Sequence, residues 1–215
     1  MAFTDGKFIP DFSEEKEMQK NGLLYVAGLD EVGRGSLAGP VVTGLVVFPA
    51  GVDYEWLASV RDSKELTVKQ REDLAPLIKS TALVAEIGLS SAKEIDQLGI
   101  VAATRLAMLR SLDSALLMPE FLLIDALELP TSNIPQKSIV KGDSKCLSIA
   151  SASILAKVER DSLMSELSEE YPGYGFEKHK GYGTSKHLEE IDRRGPCKLH
   201  RLTFAPMNKI DTYKN

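Results

Sequence analysis

The chain has little of what zinc sites and disulfide frameworks require. Its 215 residues include only two cysteines and three histidines, and neither type shows metal-ligand spacing. We therefore interpret Cys146 and Cys197 as reduced thiols and expect a cytoplasmic protein. Long apolar runs are also missing, because the longest, residues 41–48, has only the length of a strand. The first residues lack the basic and apolar regions of a signal peptide, so we expect no membrane partner.

The chain also lacks the excess of positive charge expected of a surface that coats nucleic acid. Its net charge is −5, and its 43% hydrophobic and 27% charged residues are those of an ordinary globular protein. The charge is uneven, since residues 176–215 contain nine Lys or Arg against five Asp or Glu, a balance of +4 that leaves −9 for the remainder. Such a basic segment fits either a docking face for phosphates or a solvated helix face, and composition does not separate the two.

Hydrophobic patterning predicts an α/β fold, a mixed five-stranded sheet with flanking helices and a small C-terminal helical region. The predicted strands are residues 24–30, 39–48, 82–89, 121–125 and 138–141. The predicted helices are residues 67–78, 100–117, 146–170 and 185–194, of which the first is marked by a capping box of Thr67 with Gln70. The first two strands should pair antiparallel, and the later ones should run parallel to the first.

We expect these elements to form one unit with three parts. Residues 1–21 are an N-terminal arm or short helix, residues 22–170 a catalytic core, and residues 171–215 a basic C-terminal helical region. No repeat or low-complexity stretch interrupts this order.

Acidic residues stand at the ends of three predicted strands. Asp30 ends the first and Glu31 follows it, Asp125 ends the fourth, and Asp143 follows the fifth. If these strands are parallel neighbours, their carboxyl ends lie at one edge and the four carboxylates converge. Because neighbouring strand residues point to opposite faces, Asp30 and Glu31 can share a site only if the strand twists or ends there.

Four carboxylates cannot all ionise near one another without a counterion, and oxygen-bound Mg²⁺ or Mn²⁺ supplies one. Two such ions about 4 Å apart are the usual arrangement for cutting phosphodiesters. Taken alone, Asp143 is more simply a cap or turn residue. Asp125 follows four apolar residues and is therefore expected to be buried. A buried acid is costly unless it has a partner, which favours a functional role.

A flexible turn, Gly33-Arg34-Gly35, follows the first pair of acids. Its glycines leave backbone N–H groups open beside the carboxylates, which indicates a polar, anionic substrate. Arg34 could be a plain surface residue, but its position between two glycines and beside two acids favours a functional turn.

Six segments, taken together, resemble the bacterial ribonuclease HII family. They are GLDEVGRGSLAGPVV at 28–42, DSK at 62–64, LID at 123–125, VKGDS at 140–144, ASASILAKVERD at 150–161 and HKGY at 179–182. They occur in the family's order between about residue 22 and residue 207, which is nearly the whole chain. The first segment alone is already specific.

The resemblance implies an RNase H-like fold and endonucleolytic cleavage of RNA in RNA–DNA hybrids. It also implies incision on the 5′ side of a lone ribonucleotide in duplex DNA, which leaves 3′-hydroxyl and 5′-phosphate ends. The partners would be these two duplexes, and the protein would act as a monomer with Mg²⁺ or Mn²⁺, two ions in the substrate complex.

Matched residue by residue, the resemblance assigns roles to several side chains and to one turn. It makes Asp30, Glu31, Asp125 and Asp143 the metal-binding and catalytic acids. It makes Gly33, Arg34 and Gly35 the backbone reader of the ribose 2′-hydroxyl, the group by which RNA differs from DNA. Tyr182 would pack on the deoxyribose at the RNA-to-DNA junction, and Lys64 would contact a phosphate.

The chain departs from the family's pattern at two places. Ser36 stands where proline is usual, and the tail reads His200-Arg-Leu-Thr-Phe204 where Arg-Arg-Ser-Phe is more usual. We therefore assign no role to Arg201. Neither departure touches the acids.

Three rivals remain to be compared with this interpretation. Ribonuclease HIII usually carries an extra N-terminal domain, which the roughly 20 residues before the first strand cannot supply. A non-catalytic nucleic-acid-binding module predicts the loss of an acid, and all four are present. A nucleotide-binding protein needs a glycine-rich loop that leads into a helix, whereas residues 33–35 lead into a strand.

The remaining polar residues receive simpler interpretations. We interpret His179, His187 and His200 as phosphate contacts or bystanders. Asp161 is expected to form a local ion pair with Arg160. The basic stretch 178–201 is expected to grip the hybrid, with a solvated surface as the alternative. Tyr182, in a polar and glycine-rich setting, is expected to be exposed rather than to lie in the core.

Overall fold

The computed structural model describes residues 3–4 and 7–209. Its strands are β1 (Phe3–Thr4), β2 (Lys7–Phe8), β3 (Val26–Val32), β4 (Val41–Val47), β5 (Val84–Ser90), β6 (Phe121–Asp125) and β7 (Gln136–Ile139). Its α-helices are α1 (Ser13–Lys20), α2 (Val68–Thr81), α3 (Ala92–Leu98), α4 (Ile100–Asp113), α5 (Leu147–Glu170), α6 (Phe176–His179) and α7 (Ser185–Arg194). Residues 1–2 and 5–6 of the predicted N-terminal arm and residues 210–215 of the predicted C-terminal region lie outside the described residues.

The main sheet has five strands in the order β5-β4-β3-β6-β7. Strands β3 and β4 pair antiparallel, as do β4 and β5, while β6 runs parallel to β3 and β7 parallel to β6. The predicted mixed five-stranded sheet is therefore confirmed, together with the antiparallel first pair and the parallel later strands. The carboxyl ends of β3, β6 and β7 consequently lie at one edge.

Helix α5 crosses one face of the sheet at very short range. A Cβ on Gly28 would lie 2.2 Å from the carbonyl carbon of Ser148, and a Cβ on Gly44 would lie 2.2 Å from the carbonyl oxygen of Ala152. Glycines on the strands and small residues on the helix thus let the two backbones approach. This fixes the first half of α5 next to the end of β3.

Helix α4 covers the opposite face. Leu29 and Leu45 of the sheet pack there against Met108 and Leu112 of the helix, all of them buried. Because α4 and α5 cover both faces, the central strands are inaccessible along most of their length, and the site forms where they end.

Several predicted boundaries are wrong, and one affects the site. Strand β7 ends at Ile139, and Lys141 then adopts a left-handed conformation with φ +56. Asp143 consequently lies in a 3₁₀ turn, Gly142–Ser144, and not at a strand end. Helix α2 buries Leu74 and Ile78, whereas its apolar residues Val68 and Leu77 are 56% and 40% exposed.

The capping box predicted at the start of α2, Thr67 with Gln70, is present. Helix α3 begins with a second one, Ser91 with Glu94. Along the described part of the chain, no helix combines the length and apolarity needed to cross a membrane.

Candidate active site

Asp30 is buried near the end of β3, on the face that α5 covers. It is 4% exposed, and its Oδ1 accepts a hydrogen bond of 2.7 Å from the backbone N–H of Glu31. Ser153 of α5 also hydrogen-bonds its side chain. Burial, and after it the negative charge of Glu31, raises the pKa of Asp30 well above its usual range. The carboxylate is thus held in a place where a positive charge would stabilise it.

Glu31 follows in the same strand, which continues to Val32, so the prediction that the strand ends at Asp30 is wrong. Its Oε1 accepts a hydrogen bond of 3.1 Å from Arg34, whereas its Oε2 is buried and has no hydrogen-bond partner among the described residues. Burial raises the pKa of Glu31 to about 7, although Arg34 opposes this shift. An unpaired buried carboxylate oxygen is costly and indicates a missing positive partner.

Asp125 ends β6 and connects it to the turn that carries Asp143. Its Oδ1 accepts a hydrogen bond of 2.7 Å from the backbone N–H of Gly142. The negative charge of Asp125 contributes to raising the pKa of Asp30, Glu31 and Asp143. Asp125 therefore lies within electrostatic reach of the other three acids.

Lys64 lies on the loop before α2, and its ammonium group is close to Asp143 and Asp62. Its Nζ lies 3.5 Å from Oδ2 of Asp143 and 3.8 Å from Oδ1 of Asp62, while its side chain remains 80% exposed. An exposed ammonium beside a buried acid can also pair with a phosphate.

The side chains do not form a ready metal cage. Across the described ranges, no three His, Cys, Asp or Glu side chains form a group that could hold a metal ion. The predicted convergence of four carboxylates on one point is therefore not present. Each acid has a protein partner: Ser153 for Asp30, Arg34 for Glu31, the Gly142 amide for Asp125 and Lys64 for Asp143.

The chemistry of the donors nevertheless fits a hard divalent cation. All four groups offer carboxylate oxygens, the ligand type that Mg²⁺ and Mn²⁺ prefer. Oε2 of Glu31 lacks any partner in the described chain.

An open pocket of about 590 Å³ lies beside the acids. Six residues singled out from the sequence line it, namely Glu31, Gly33, Arg34, Gly35, Lys64 and Tyr182. Asp30, Asp125 and Asp143 are not among the lining residues. The pocket therefore joins the glycine turn, the tyrosine and one of the four acids.

Tyr182 forms one wall of this pocket and is 36% exposed. The Arg160 guanidinium carbon lies 5.5 Å from its ring centroid, and Nζ of Lys157 lies 5.8 Å from it. Two cations thus hold the ring at the pocket, and the expected exposure is confirmed.

Besides Val32, sequence reasoning missed three polar pocket residues, Ser63, Ser153 and Lys157. The hydroxyls of Ser63 and Ser153 lie 2.9 Å apart and join the lysine loop to α5. Lys157 is one turn after Ser153, so both face the pocket. All three lie in segments that carry the family resemblance, and this was the signal that could have found them.

Two interpretations of single residues are wrong, and for two histidines the structure decides between the alternatives. His187 and His200 are buried, at 0% and 2% exposure, which excludes a phosphate contact and leaves the interpretation as bystanders. Asp161 pairs with Lys157 at 2.8 Å and with Arg71 at 3.9 Å, and no ion pair with Arg160 occurs among the described residues. Arg201 is fully buried, so the gripping face proposed for 178–201 cannot include it.

The chain is similar to known proteins along nearly its whole length. The family model described as Ribonuclease HII matches residues 27–207. The ribonuclease HII of Dehalococcoides mccartyi is 51% identical over 201 residues, which cover 94% of this chain and 95% of that protein.

Solved structures share the fold. Ribonuclease H2 from Pyrococcus horikoshii OT3 has a TM-score of 0.73 at 27% identity, and the match covers 89% of this chain and 100% of that one. Bst-RNase HIII in complex with Mn²⁺ has a TM-score of 0.62 at 22% identity, covering 89% of this chain and 70% of that one. The second likeness concerns the fold alone.

Proposed function

The chain belongs to the ribonuclease HII family, and from this premise we propose that it incises duplex DNA on the 5′ side of single embedded ribonucleotides. It is a ribonuclease H, an endonuclease that hydrolyses RNA in RNA–DNA hybrids. We propose further that the cut leaves a 3′-hydroxyl and a 5′-phosphate. A monomer in the cytoplasm remains our expectation.

The proposed metal ligands are Asp30, Glu31, Asp125 and Asp143. Their all-oxygen donor set and the unpaired Oε2 of Glu31 support this proposal. Bst-RNase HIII, which shares the fold, was solved with Mn²⁺. Bound there, Mg²⁺ or Mn²⁺ would activate a water and stabilise the leaving 3′-oxygen, with two ions in the substrate complex.

The chain's own groups orient the substrate beside these acids. We propose that backbone N–H groups of Gly33, Arg34 and Gly35 bind the ribose 2′-hydroxyl. Gly35 is exposed, and a Cβ built on it would meet nothing within 4 Å, so a sugar can approach its backbone closely. Tyr182 would pack on the next deoxyribose, and Lys64 would bind a phosphate.

The described part of the C-terminal region is proposed to complete this surface and not to act as a separate domain. It supplies Tyr182 to a pocket whose other lining residues come from the core. Lys178, Lys186 and Lys198 are exposed and free to meet phosphates.

One observation carries the proposal: the glycine turn, Glu31, Lys64 and Tyr182 line a single pocket. The test is a labelled DNA duplex with one ribonucleotide, incubated with Mg²⁺, with Mn²⁺ or with chelator. We expect one cut on the 5′ side of the ribonucleotide with either metal and none with chelator. An all-DNA duplex is the control, and cutting that ignores the ribonucleotide would contradict the proposal.

A further inference from the structure

Arg201 is a buried arginine whose guanidinium is used entirely on backbone carbonyls. It is 0% exposed, and it donates to the carbonyl oxygens of Gly33 at 2.7 Å, of Arg34 at 2.8 Å and of Gly39 at 2.9 and 3.1 Å. Within the described chain it forms no ion pair with a carboxylate. A buried charge of this kind is costly and is stabilised here by the turn itself.

The direction of these bonds determines where the turn's donors point. In a trans peptide the C=O and the following N–H point in opposite directions. Since the carbonyls of Gly33 and Arg34 point at the buried guanidinium, the N–H groups of Arg34 and Gly35 point away from it. Neither N–H donates a hydrogen bond within the described residues.

The guanidinium is itself fixed in place. The ring of Phe204 lies 5.1 Å from its carbon, and the backbone N–H of Arg201 donates to the carbonyl of Leu37 at 2.9 Å. Burial, and after it the charge of Arg160, lowers the pKa of Arg201 to about 9, so the group remains charged near neutral pH. Its donors are therefore rigid and are spread over three nitrogens, whereas the three donors of a lysine share one nitrogen and cannot reproduce this arrangement.

We propose that Arg201 is a positioning residue for ribose recognition, which holds the turn so that the N–H groups of Arg34 and Gly35 face the 2′-hydroxyl. The inference rests on the proposed function, because it assumes that this turn reads the sugar. It gives a role to a side chain that never contacts substrate. It also gives a reason for the contact between the segment that carries Arg201 and residues 33–39.

The test is Arg201→Lys, compared with Arg71→Lys. Arg71 is another buried arginine, 8% exposed, which donates to the carbonyls of Ser63 and Leu66 and does not touch the turn. Binding is measured for a duplex with one ribonucleotide and for the same duplex with deoxyribose at that position. An Asp125→Asn background is used so that no cutting occurs, and thermal unfolding is recorded for every variant.

We expect Arg201→Lys to reduce the preference for the ribonucleotide duplex by about tenfold or more, with binding of the all-DNA duplex changed less than about threefold. Arg71→Lys should lower the unfolding temperature but keep the preference within about twofold. An unchanged preference in Arg201→Lys, or an equal loss on both duplexes, would overturn the proposal.

A second variant decides the matter if Arg201→Lys does not fold. Phe204→Leu removes the ring beside the guanidinium and keeps every donor, and a loss of preference of about two- to fivefold supports the proposal. An unchanged preference in that variant contradicts it. If the parent chain neither prefers nor cuts the ribonucleotide duplex, the proposed function itself fails, so the two failures are distinguishable.

Discussion

The two glycines of the recognition turn have different physical reasons to be glycine. Gly33 has φ +94, and a Cβ there would lie 2.2 Å from Nε of the buried Arg160. Gly35 has an ordinary φ and open space around it. The first glycine is required by the fold, whereas the second leaves room for something outside the protein.

Gly33→Ala and Gly35→Ala form a matched pair. We expect Gly33→Ala to lower the free energy of unfolding by about 2 kcal/mol or more, because of strain and overlap with Arg160. Gly35→Ala should leave stability within about 0.5 kcal/mol but weaken binding of the ribonucleotide duplex. Urea unfolding and duplex binding check both expectations, and equal effects in the two variants would contradict this distinction.

Tyr182→Ala tests the junction contact. The ring is exposed at the pocket, so its loss should weaken cutting at single ribonucleotides, which always have a junction, more than cutting within long RNA tracts. Rates are compared on the two substrates under the same conditions. Tyr54→Ala is the control, since that tyrosine is 54% exposed and lies outside the pocket. Equal losses on both substrates would refute junction reading.

The sequence predicted residues well where a local pattern carries them. Asp30, Glu31 and the glycine turn are neighbours in the chain, and their proximity needs no tertiary information. Ser153 and Arg201 could not be predicted in this way, because each acts on a partner more than a hundred residues away. Long-range hydrogen bonds leave no periodic signal in the sequence.

At the scale of elements, strand boundaries were the least predictable feature. Strand β3 extends to Val32 because Glu31 and Val32 pair with Thr43 and Val42 of β4. The turn that carries Asp143 depends on the left-handed conformation of Lys141 and on the hydrogen bond from the backbone N–H of Gly142 to Asp125. A hydrophobic pattern indicates neither of them. Helices α2, α5 and α7 were predicted better, since hydrophobic periodicity and capping residues are local: residues 67–78, 146–170 and 185–194 were expected, and Val68–Thr81, Leu147–Glu170 and Ser185–Arg194 are found.

A chain of hydrogen bonds joins the C-terminal elements. His200 Nδ1 accepts from the backbone N–H of Cys197 at 2.9 Å, so its Nε2 carries the proton and donates to Nε2 of His187 at 3.1 Å. His187 Nδ1 then donates to the carbonyl of Tyr182 at 2.9 Å. Both rings must be neutral for this chain, which supports the loop that carries Tyr182.

Acidification should break this chain of bonds. Burial lowers the pKa of His187 and of His200 to about 4. Because these values lie below the unfolded value of about 6.5, the contribution of both rings to stability is full above pH 6.5 and is lost as the pH falls toward 4. Glu31 acts in the opposite direction, since its folded pKa is raised.

The histidine ring signals in proton NMR check this expectation without interference from Glu31. Between pH 8 and pH 5, we expect the signals of His187 and His200 to stay near their neutral positions. Titration of either ring near pH 6.5 would contradict the buried, neutral pair.

At the scale of the whole molecule, the sheet brings distant segments to one edge. Residues 26–32 and 121–125 meet there because β6 runs parallel to β3, and residues 142–144 follow from β7. The RNase H-like fold that the resemblance implied is confirmed by the likeness to the Pyrococcus horikoshii structure. What the sequence could not provide was side-chain orientation, since the acids face protein partners and not a common point.

Asp125→Asn tests the role of the strand edge most directly. Asparagine keeps the oxygen that accepts from the Gly142 amide, so the turn should survive while one negative charge is lost. Glu120→Gln is the matched control, because Glu120 also accepts backbone N–H groups, from Leu24 and Tyr25, but precedes the start of β6.

The decisive measurement is cleavage and binding of a duplex with one ribonucleotide by Asp125→Asn, Glu120→Gln and the unchanged chain. We predict that Asp125→Asn cuts at least about a thousandfold more slowly while binding within about threefold of the unchanged chain, and that Glu120→Gln cuts normally. Full cleavage by Asp125→Asn would contradict the account, because the carboxylates at the sheet edge would then not be the centre of the reaction.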